Sequence, residues 1–191
     1  MKAILINGSP RKNSNTNLML DAAAKELDAA GIEVERVFLA DNEISPCTAC
    51  ERCYKKTWEC PIKDGAASLL KRMAAADALL IGSPVYFGGV TSQVKALMDR
   101  SIMGYNDLPM KGKVGGGITV GGGAHGGQEL AVMQINVFMF MHQMHVAYGE
   151  NAEFGGMGTG NDLGEVKHDK AGLKSAAGLG KTMAALMKSK K

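Results

Sequence analysis

The chain predicts an α/β protein: a five-stranded parallel sheet, doubly wound, with helices on both faces. Three observations carry this expectation. Two short, wholly apolar runs, AILI at 3–6 and ALLI at 78–81, stop abruptly at turn residues, each reaching a Gly-Ser-Pro, as buried parallel strands do. Strand-like and helix-like segments alternate about five times along the chain, the order that gives a parallel sheet with right-handed crossovers. No internal repeat or long linker divides the 191 residues, so a single domain is expected over 1–191.

The elements follow in order. Residues 2–6 (KAILI) form the first strand and stop at Asn7-Gly8-Ser9-Pro10. From about 16 to 30, Leu18, Leu20, Ala23, Ala24 and Leu27 recur at helical spacing among charges, and Gly31 is a stop signal. Residues 33–39 (EVERVFL) alternate as a strand. An irregular segment between Pro46 and Pro61 leads to a helix over 64–76, the second apolar strand at 78–81 and a helix from about 91 to 103. After the polar link GYNDLPMKGK, a glycine-rich strand spans 114–120, a long apolar helix 128–143, and a short strand 145–148. A glycine-rich loop at 155–160 and a last helix from about 169 to 188 close the chain.

Composition excludes several functions. Hydrophobic residues at 46% and charged residues at 21% suit a packed globular core. A net charge of +3 is too small to argue for nucleic acid, and the terminal KSKK reads as a solvated tail. No apolar stretch approaches the ~20 residues of a membrane helix. AILI is too short, and too soon followed by polar residues, for a secretion signal, so the expected compartment is the cytoplasm. Thiols there stay reduced, and clustered cysteines read as metal-binding or catalytic.

In an open parallel sheet, ligands bind beyond the carboxyl ends of the strands. Three segments there are unusual. NGSPRKNSNT after the first strand offers the hydroxyls of Ser9, Ser14 and Thr16, the guanidinium of Arg11 and the amide of Asn15 at a helix N-terminus, a setting suited to phosphate. It matches neither the Walker A loop nor the dinucleotide GxGxxG. Pro84, Val85, Tyr86, Phe87 and Gly88 bring apolar and aromatic groups to the edge, where a flat ring can stack. Gly121, Gly122, Gly123, His125 and Gly126 make a loop whose backbone can approach a ligand closely. A lone histidine such as His125 is more often a surface or structural group than a catalyst. Together the three segments suit a mononucleotide with a planar head, and FMN fits best.

All four cysteines lie in CTACERCYKKTWEC: Cys47, Cys50, Cys53 and Cys60. Gaps of two, two and six residues suit a [4Fe–4S] cube, which takes one thiolate per iron. The longer last gap lets the chain turn back to close the same cube. Zinc, which favours two well-separated ligand pairs, fits less well. Free or redox-active thiols, and less readily disulfides, remain alternatives. Arg52, Lys55 and Lys56 read as a solvated face. Trp58 either shields the cluster or packs at a subunit contact. The helix around VMQINVFMFMHQM is apolar on most sides and reads as core and association surface, with His142 and His145 part of that packing.

These stretches resemble a known family. The strand followed by GSPRKNSNT, then ALLIGSPVYFGGVTSQVKALMDR, then VGGGAHGGQE are similar to the flavodoxin-like NAD(P)H-dependent FMN reductases. The C-x2-C-x2-C-x6-C run resembles the compact motif of the iron–sulfur flavoproteins. The resemblance covers roughly residues 1–130. It implies a flavodoxin-type strand order 2-1-3-4-5, FMN, a [4Fe–4S] cluster and a homodimer or homotetramer with the cysteine loop at its interface. It also implies that Ser9, Arg11, Ser14, Asn15 and Thr16 hold the phosphate. The ring would lie on residues 84–88, with help from 121–127. The expected activity is electron transfer between a one-electron donor such as a ferredoxin and a two-electron acceptor. The alternatives are an NAD(P)H-dependent FMN or quinone reductase without a cluster, and a non-enzymatic zinc- or flavin-binding module. No nicotinamide site is legible.

Overall fold

The computed structural model describes residues 1–149 and 153–189. At its centre lies β1 (Lys2–Asn7), buried along its length because both faces of the sheet are covered. Side chains alternate across a strand. Accordingly Ala3 and Leu5 enter one core, with residues from α1 (Asn15–Ala29) and the C-terminal helix, while Ile4 and Ile6 enter the other.

β1 pairs in parallel with β2 (Glu33–Phe38) on one side and β3 (Ala78–Pro84) on the other. β4 (Val114–Gly121) follows β3, and β5 (His145–Val146) follows β4. The order is therefore 2-1-3-4-5, as the sequence resemblance implies. Among the described residues a further strand joins the expected five. Residues Gly156–Thr159, expected as part of a glycine loop, form β6, parallel to Ile118–Gly121 of β4. β5 pairs with Val114 and Gly115 at one end of β4, and β6 pairs with its other end. The glycines are there for close approach. A Cβ on Gly155 would lie 2.4 Å from the Gly117 carbonyl, and one on Gly156 would lie 2.9 Å from Ile118 Cγ1. Small residues carry no period-two hydrophobic signal, so the sequence pattern conceals this strand.

On the second face pack α3 (Ala66–Ala75), α4 (Ser92–Arg100) and α5 (Gln128–Met141). α2 (Arg52–Lys55) is a single turn inside the cysteine segment. The helix expected over 91–103 tightens after Arg100 into a 3-10 helix, Ser101–Asp107. α6 (Lys170–Ser189) lies against α1. Glycine costs a helix about 1 kcal/mol relative to alanine, but a Cβ on Gly180 would stand 2.5 Å from the Ala23 carbonyl, so contact with α1 requires its absence. Among the described residues no helix is long and apolar enough to cross a membrane.

Candidate functional site

The turn from β1 to α1 is built for rigidity. Asn7 Oδ1 accepts from the Ser9 amide at 2.9 Å, and Ser9 Oγ accepts from the Arg11 amide at 3.2 Å. Ser14 caps α1 by accepting from the Asn17 amide at 3.1 Å. The first-turn amides of Asn15 and Thr16 have no intrahelical acceptor. Thr16 Oγ1 is buried and has no partner among the described residues. Gly8 is obligatory: a Cβ there would meet Val94 Cγ2 at 2.1 Å and the Gly82 carbonyl at 2.9 Å.

Ser9, Arg11, Ser14, Asn15, Thr16, Pro84, Val85, Tyr86 and Gly122 come together around one cleft of about 110 Å³, joined by Val120, Gly160, Asn161 and Leu163. That volume suits a phosphate and the start of its chain; a drug-sized ring needs roughly 300 Å³ or more. A planar head would therefore sit at the open rim. Uncompensated amides at a helix start, an orphaned hydroxyl and the Arg11 fork are the donor set a phosphate monoester needs. FMN's phosphate end fits these residues.

Phe87, Gly88, Gly121, Gly123, His125 and Gly126 do not line this cleft. Phe87 is fully exposed at the tip of a tight turn in which Tyr86 and Gly89 exchange backbone hydrogen bonds of 2.9 and 3.0 Å. Phe87 and Gly88 both have positive φ, +50° and +74°, the signature of a type I′ turn. Gly88 lines a separate groove between α4 and α5. Gly121 is buried against Gln128, Gly122 is exposed on the cleft wall, and Gly123, His125 and Gly126 are exposed. Asn15 spends its side-chain amide inside the protein, donating to the Gly160 and Asp162 carbonyls at 3.0 and 2.8 Å and accepting from the Val166 amide. What it leaves to a ligand is its backbone N–H.

Three contributors escaped the sequence reading. The 160–163 turn forms one wall of the cleft, and Arg11 Nη1 reaches the Asn161 carbonyl at 3.4 Å. Its only signal was the unassigned glycine run. Gln128 holds the 121–127 loop by donating to the Gly123 carbonyl at 2.7 Å. Thr91 ties two edge segments by donating to the Gly8 carbonyl at 2.8 Å and capping α4.

The four cysteines line a second cleft of about 400 Å³. All are free thiols; Cys47 and Cys50 are exposed, Cys53 and Cys60 partly buried against the α3–α5 core. The segment turns on non-glycine residues at positive φ: Ala49 at +51°, Glu51 at +60° and Trp58 at +67°. Burial pushes the Cys53 thiol above its ordinary value, and the negative charge its three neighbours would carry as thiolates adds to that. Among the described residues no three His, Cys, Asp or Glu side chains converge as ligands of a single ion. Trp58 locks the long gap: its amide donates to the Met103 carbonyl at 2.6 Å, its indole to Asp107 at 3.1 Å, and its ring covers Gly104. Arg52, Lys55 and Lys56 are exposed, as expected of a solvated face.

The far wall contains Arg100, which is 1% exposed. Its guanidinium pairs bidentately with Asp64 at 2.7 and 3.0 Å and donates to the Ser45 carbonyl at 2.9 Å and to Cys60 Sγ at 3.3 Å. Burial alone would push the Asp64 carboxyl up; Arg100, with the amides of Ser45 and Ala66, outweighs burial and holds it below the usual carboxylate range. Behind this wall, Ser101 Oγ donates to the Met98 carbonyl at 2.7 Å and lies 2.9 Å from His142 Nε2. His142 is buried between Tyr105 and Phe138, and burial lowers its pKa to about 4. His145, on the edge strand, is exposed.

A parallel sheet of order 2-1-3-4-5 with a phosphate-type cradle after its first strand defines a flavodoxin-like nucleotide-binding protein. Solved structures agree on the fold. A WrbA-like flavodoxin of Agrobacterium tumefaciens superposes with TM-score 0.66 at 18% identity, covering 100% of this chain and 99% of that one. RosB with a bound intermediate superposes with TM-score 0.79 at 20% identity, covering 99% and 79%. The pattern of the NADPH-dependent FMN reductase family matches residues 1–154, and the chain belongs to that family. It is an oxidoreductase of the flavin-linked kind. Two relatives, both described as iron-sulfur flavoproteins, are similar along most of their length. That of Methanocaldococcus jannaschii is 44% identical over 191 residues, 98% of each chain. That of Methanosarcina thermophila is 37% identical over 158 residues, 82% of each chain.

Proposed function

We propose that the chain binds FMN at the carboxyl edge of the sheet and a [4Fe–4S] cluster in the cysteine cleft. It would pass electrons between a one-electron donor such as a ferredoxin and a two-electron acceptor. The observation that carries this reading is that all four thiols open into one cleft of about 400 Å³ walled by a buried cation. A cube takes one thiolate at each of four corners. Its ligands therefore stand farther apart than those of a single ion, and convergence of three side chains on one point is not what it requires.

FMN when bound exchanges one or two electrons and the cluster one, so the pair matches donors and acceptors of different electron number. The protein's part is to hold and orient. Ser9, Ser14, Thr16, the amides of Asn15 and Thr16 and the Arg11 charge would hold the phosphate. Pro84, Val85 and Tyr86, with the exposed backbone of Gly122, Gly123 and Gly126 beside His125, would seat the ring. Cys47, Cys50, Cys53 and Cys60 would supply the thiolates. Leu130, Val137, Phe140 and Met141 on α5 remain exposed, which supports association with a second copy.

A second reading is an NADPH-dependent FMN or quinone reductase with free thiols. The family's description and the exposure of Cys47 and Cys50 favour it. Anaerobic reconstitution with iron, sulfide and FMN separates the two. The first reading expects one flavin and about four irons per chain, with Cys50→Ser and Cys60→Ser losing iron and keeping flavin. Flavin without iron, and turnover with NADPH, would establish the second. A protein that takes up neither would defeat both.

A further inference from the structure

We propose that Arg100 is the positioning residue of the cysteine cleft: it presents Cys60 as the fourth ligand and, through its bond to Cys60 Sγ, raises the reduction potential of the cluster. This rests on the cluster reading above.

Two independent features of the side chain support it. The first is where it grips the chain. Arg100 holds the Ser45 carbonyl, two residues before Cys47, and Asp64, four residues after Cys60. One guanidinium thus staples the neck of the whole thiol-bearing loop. Cys47, Cys50 and Cys53 follow one another at short steps, and Cys53 lies inside α2. Cys60 comes after the long gap and has no regular element of its own to orient it, so an outside hold is needed.

The second feature is the bond to sulfur. The Asp64 carboxylate is already served by the Ser45 and Ala66 amides and by both Arg100 terminal nitrogens. An arginine present only for that ion pair has no need of a third kind of partner. Here Nη2 also reaches Cys60 Sγ at 3.3 Å, and among the described residues no other cysteine sulfur accepts from a cation. An arginine in the last turn of a helix ordinarily extends to water and meets the carbonyl ends of the helix. This one is buried, where low dielectric strengthens a charged hydrogen bond. Reduction adds negative charge to a cluster and its thiolates. A fixed cationic donor on one ligand favours the reduced state more than the oxidised one, and hydrogen bonds to sulfur are among the features that set cluster potentials.

The test uses the reconstituted holoprotein and two variants. Arg100→Lys keeps a positive charge near Asp64 but cannot fork to carboxylate and sulfur at once. Asp64→Asn keeps the arginine and its sulfur bond. The cluster potential is read by anaerobic redox titration, and the iron–thiolate stretching bands by resonance Raman. We expect Arg100→Lys to shift the oxidised-to-reduced ratio at fixed poise at least tenfold toward oxidised, 59 mV for one electron, with altered iron–thiolate bands and an unchanged flavin potential. Asp64→Asn, which removes the carboxylate charge that offsets the guanidinium, is expected to lose thermal stability with a cluster potential at or above the wild-type value. If Arg100→Lys folds yet assembles no cluster while Asp64→Asn does, positioning is supported directly. Wild-type potential and bands in Arg100→Lys would overturn the proposal, as would equal loss of iron in both variants. A wild-type protein that takes up no iron would instead defeat the cluster reading itself.

Discussion

The cradle after β1 and the cysteine loop after β2 are both carboxyl-edge segments, yet they are organised by opposite means. The cradle takes its shape from its own backbone: Asn7, Ser9 and Ser14 bond to amides two or three residues away, and α1 continues directly from it. The internal backbone bonds of the cysteine loop are those of one short helical stretch, Tyr54 to Glu51, Lys56 to Arg52 and Glu59 to Lys56. The loop bends on Ala49, Glu51 and Trp58 at positive φ, a conformation that costs L-residues roughly 1–2 kcal/mol each. Its fixed points come from distant chain, Arg100 at its neck and Met103, Gly104 and Asp107 beneath Trp58. A site that must present amides is built locally. A site that must present four thiolates in three dimensions borrows its geometry.

The largest effect that breaks this contrast is expected at the cradle. Gly8→Ala forces a methyl to within 2.1 Å of Val94 Cγ2. Overpacking of this kind costs about 3 kcal/mol, and a melting temperature lower by roughly 6–12 °C in calorimetry follows. No single non-ligand residue inside the 47–60 loop is expected to cost as much.

Next comes acid sensitivity behind the cysteine cleft. His142 titrates near 4 in the folded chain against 6.5 for its ordinary value. Between those pH values the unfolded state binds the proton and the native state does not, so stability present above pH 6.5 is lost as pH falls toward 4, by about 3 kcal/mol. Urea titrations across that window are expected to show a shallower loss for His142→Gln than for the parent, the carboxylates contributing equally to both.

A smaller effect sharpens the cradle reading. Thr16→Val removes a buried hydroxyl that has no partner among the described residues. The flavin-free protein should melt no lower than the parent, while affinity for FMN falls roughly tenfold, the worth of one hydrogen bond of about 1.4 kcal/mol. Unchanged affinity in a fluorescence titration would remove Thr16 from the phosphate site. The smallest effect is at Phe87. Glycine there relieves the strain at φ +50° but loses conformational entropy, for a net gain of about 0.5 kcal/mol and a rise in melting temperature of 1–2 °C, at about 2–4 °C per kcal/mol.

Much of this was legible in the residues. AILI and ALLI are buried strands because only a two-sided core accepts unbroken apolar runs, and the polar cluster after the first strand marked the cradle. The spacing of the cysteines marked the second cleft. Asn15 looked like a ligand donor because its type suits one, but its amide bonds to chain some 145 residues away. Tyr86 and Phe87 are neighbours in sequence, and the positive-φ turn sends one toward the cleft and the other into solvent.

By itself the sequence determined the fold class, the two sets of candidate donors and their separation along the chain, because apolar period and residue chemistry are local properties. Only the tertiary structure decided that glycines 156 and 158 belong to a sixth strand, that 160–163 walls the cradle and that Arg100 reaches Cys60. Those facts arise from close approaches between segments distant in sequence, and no local pattern encodes which glycine will be crowded or which arginine will be buried.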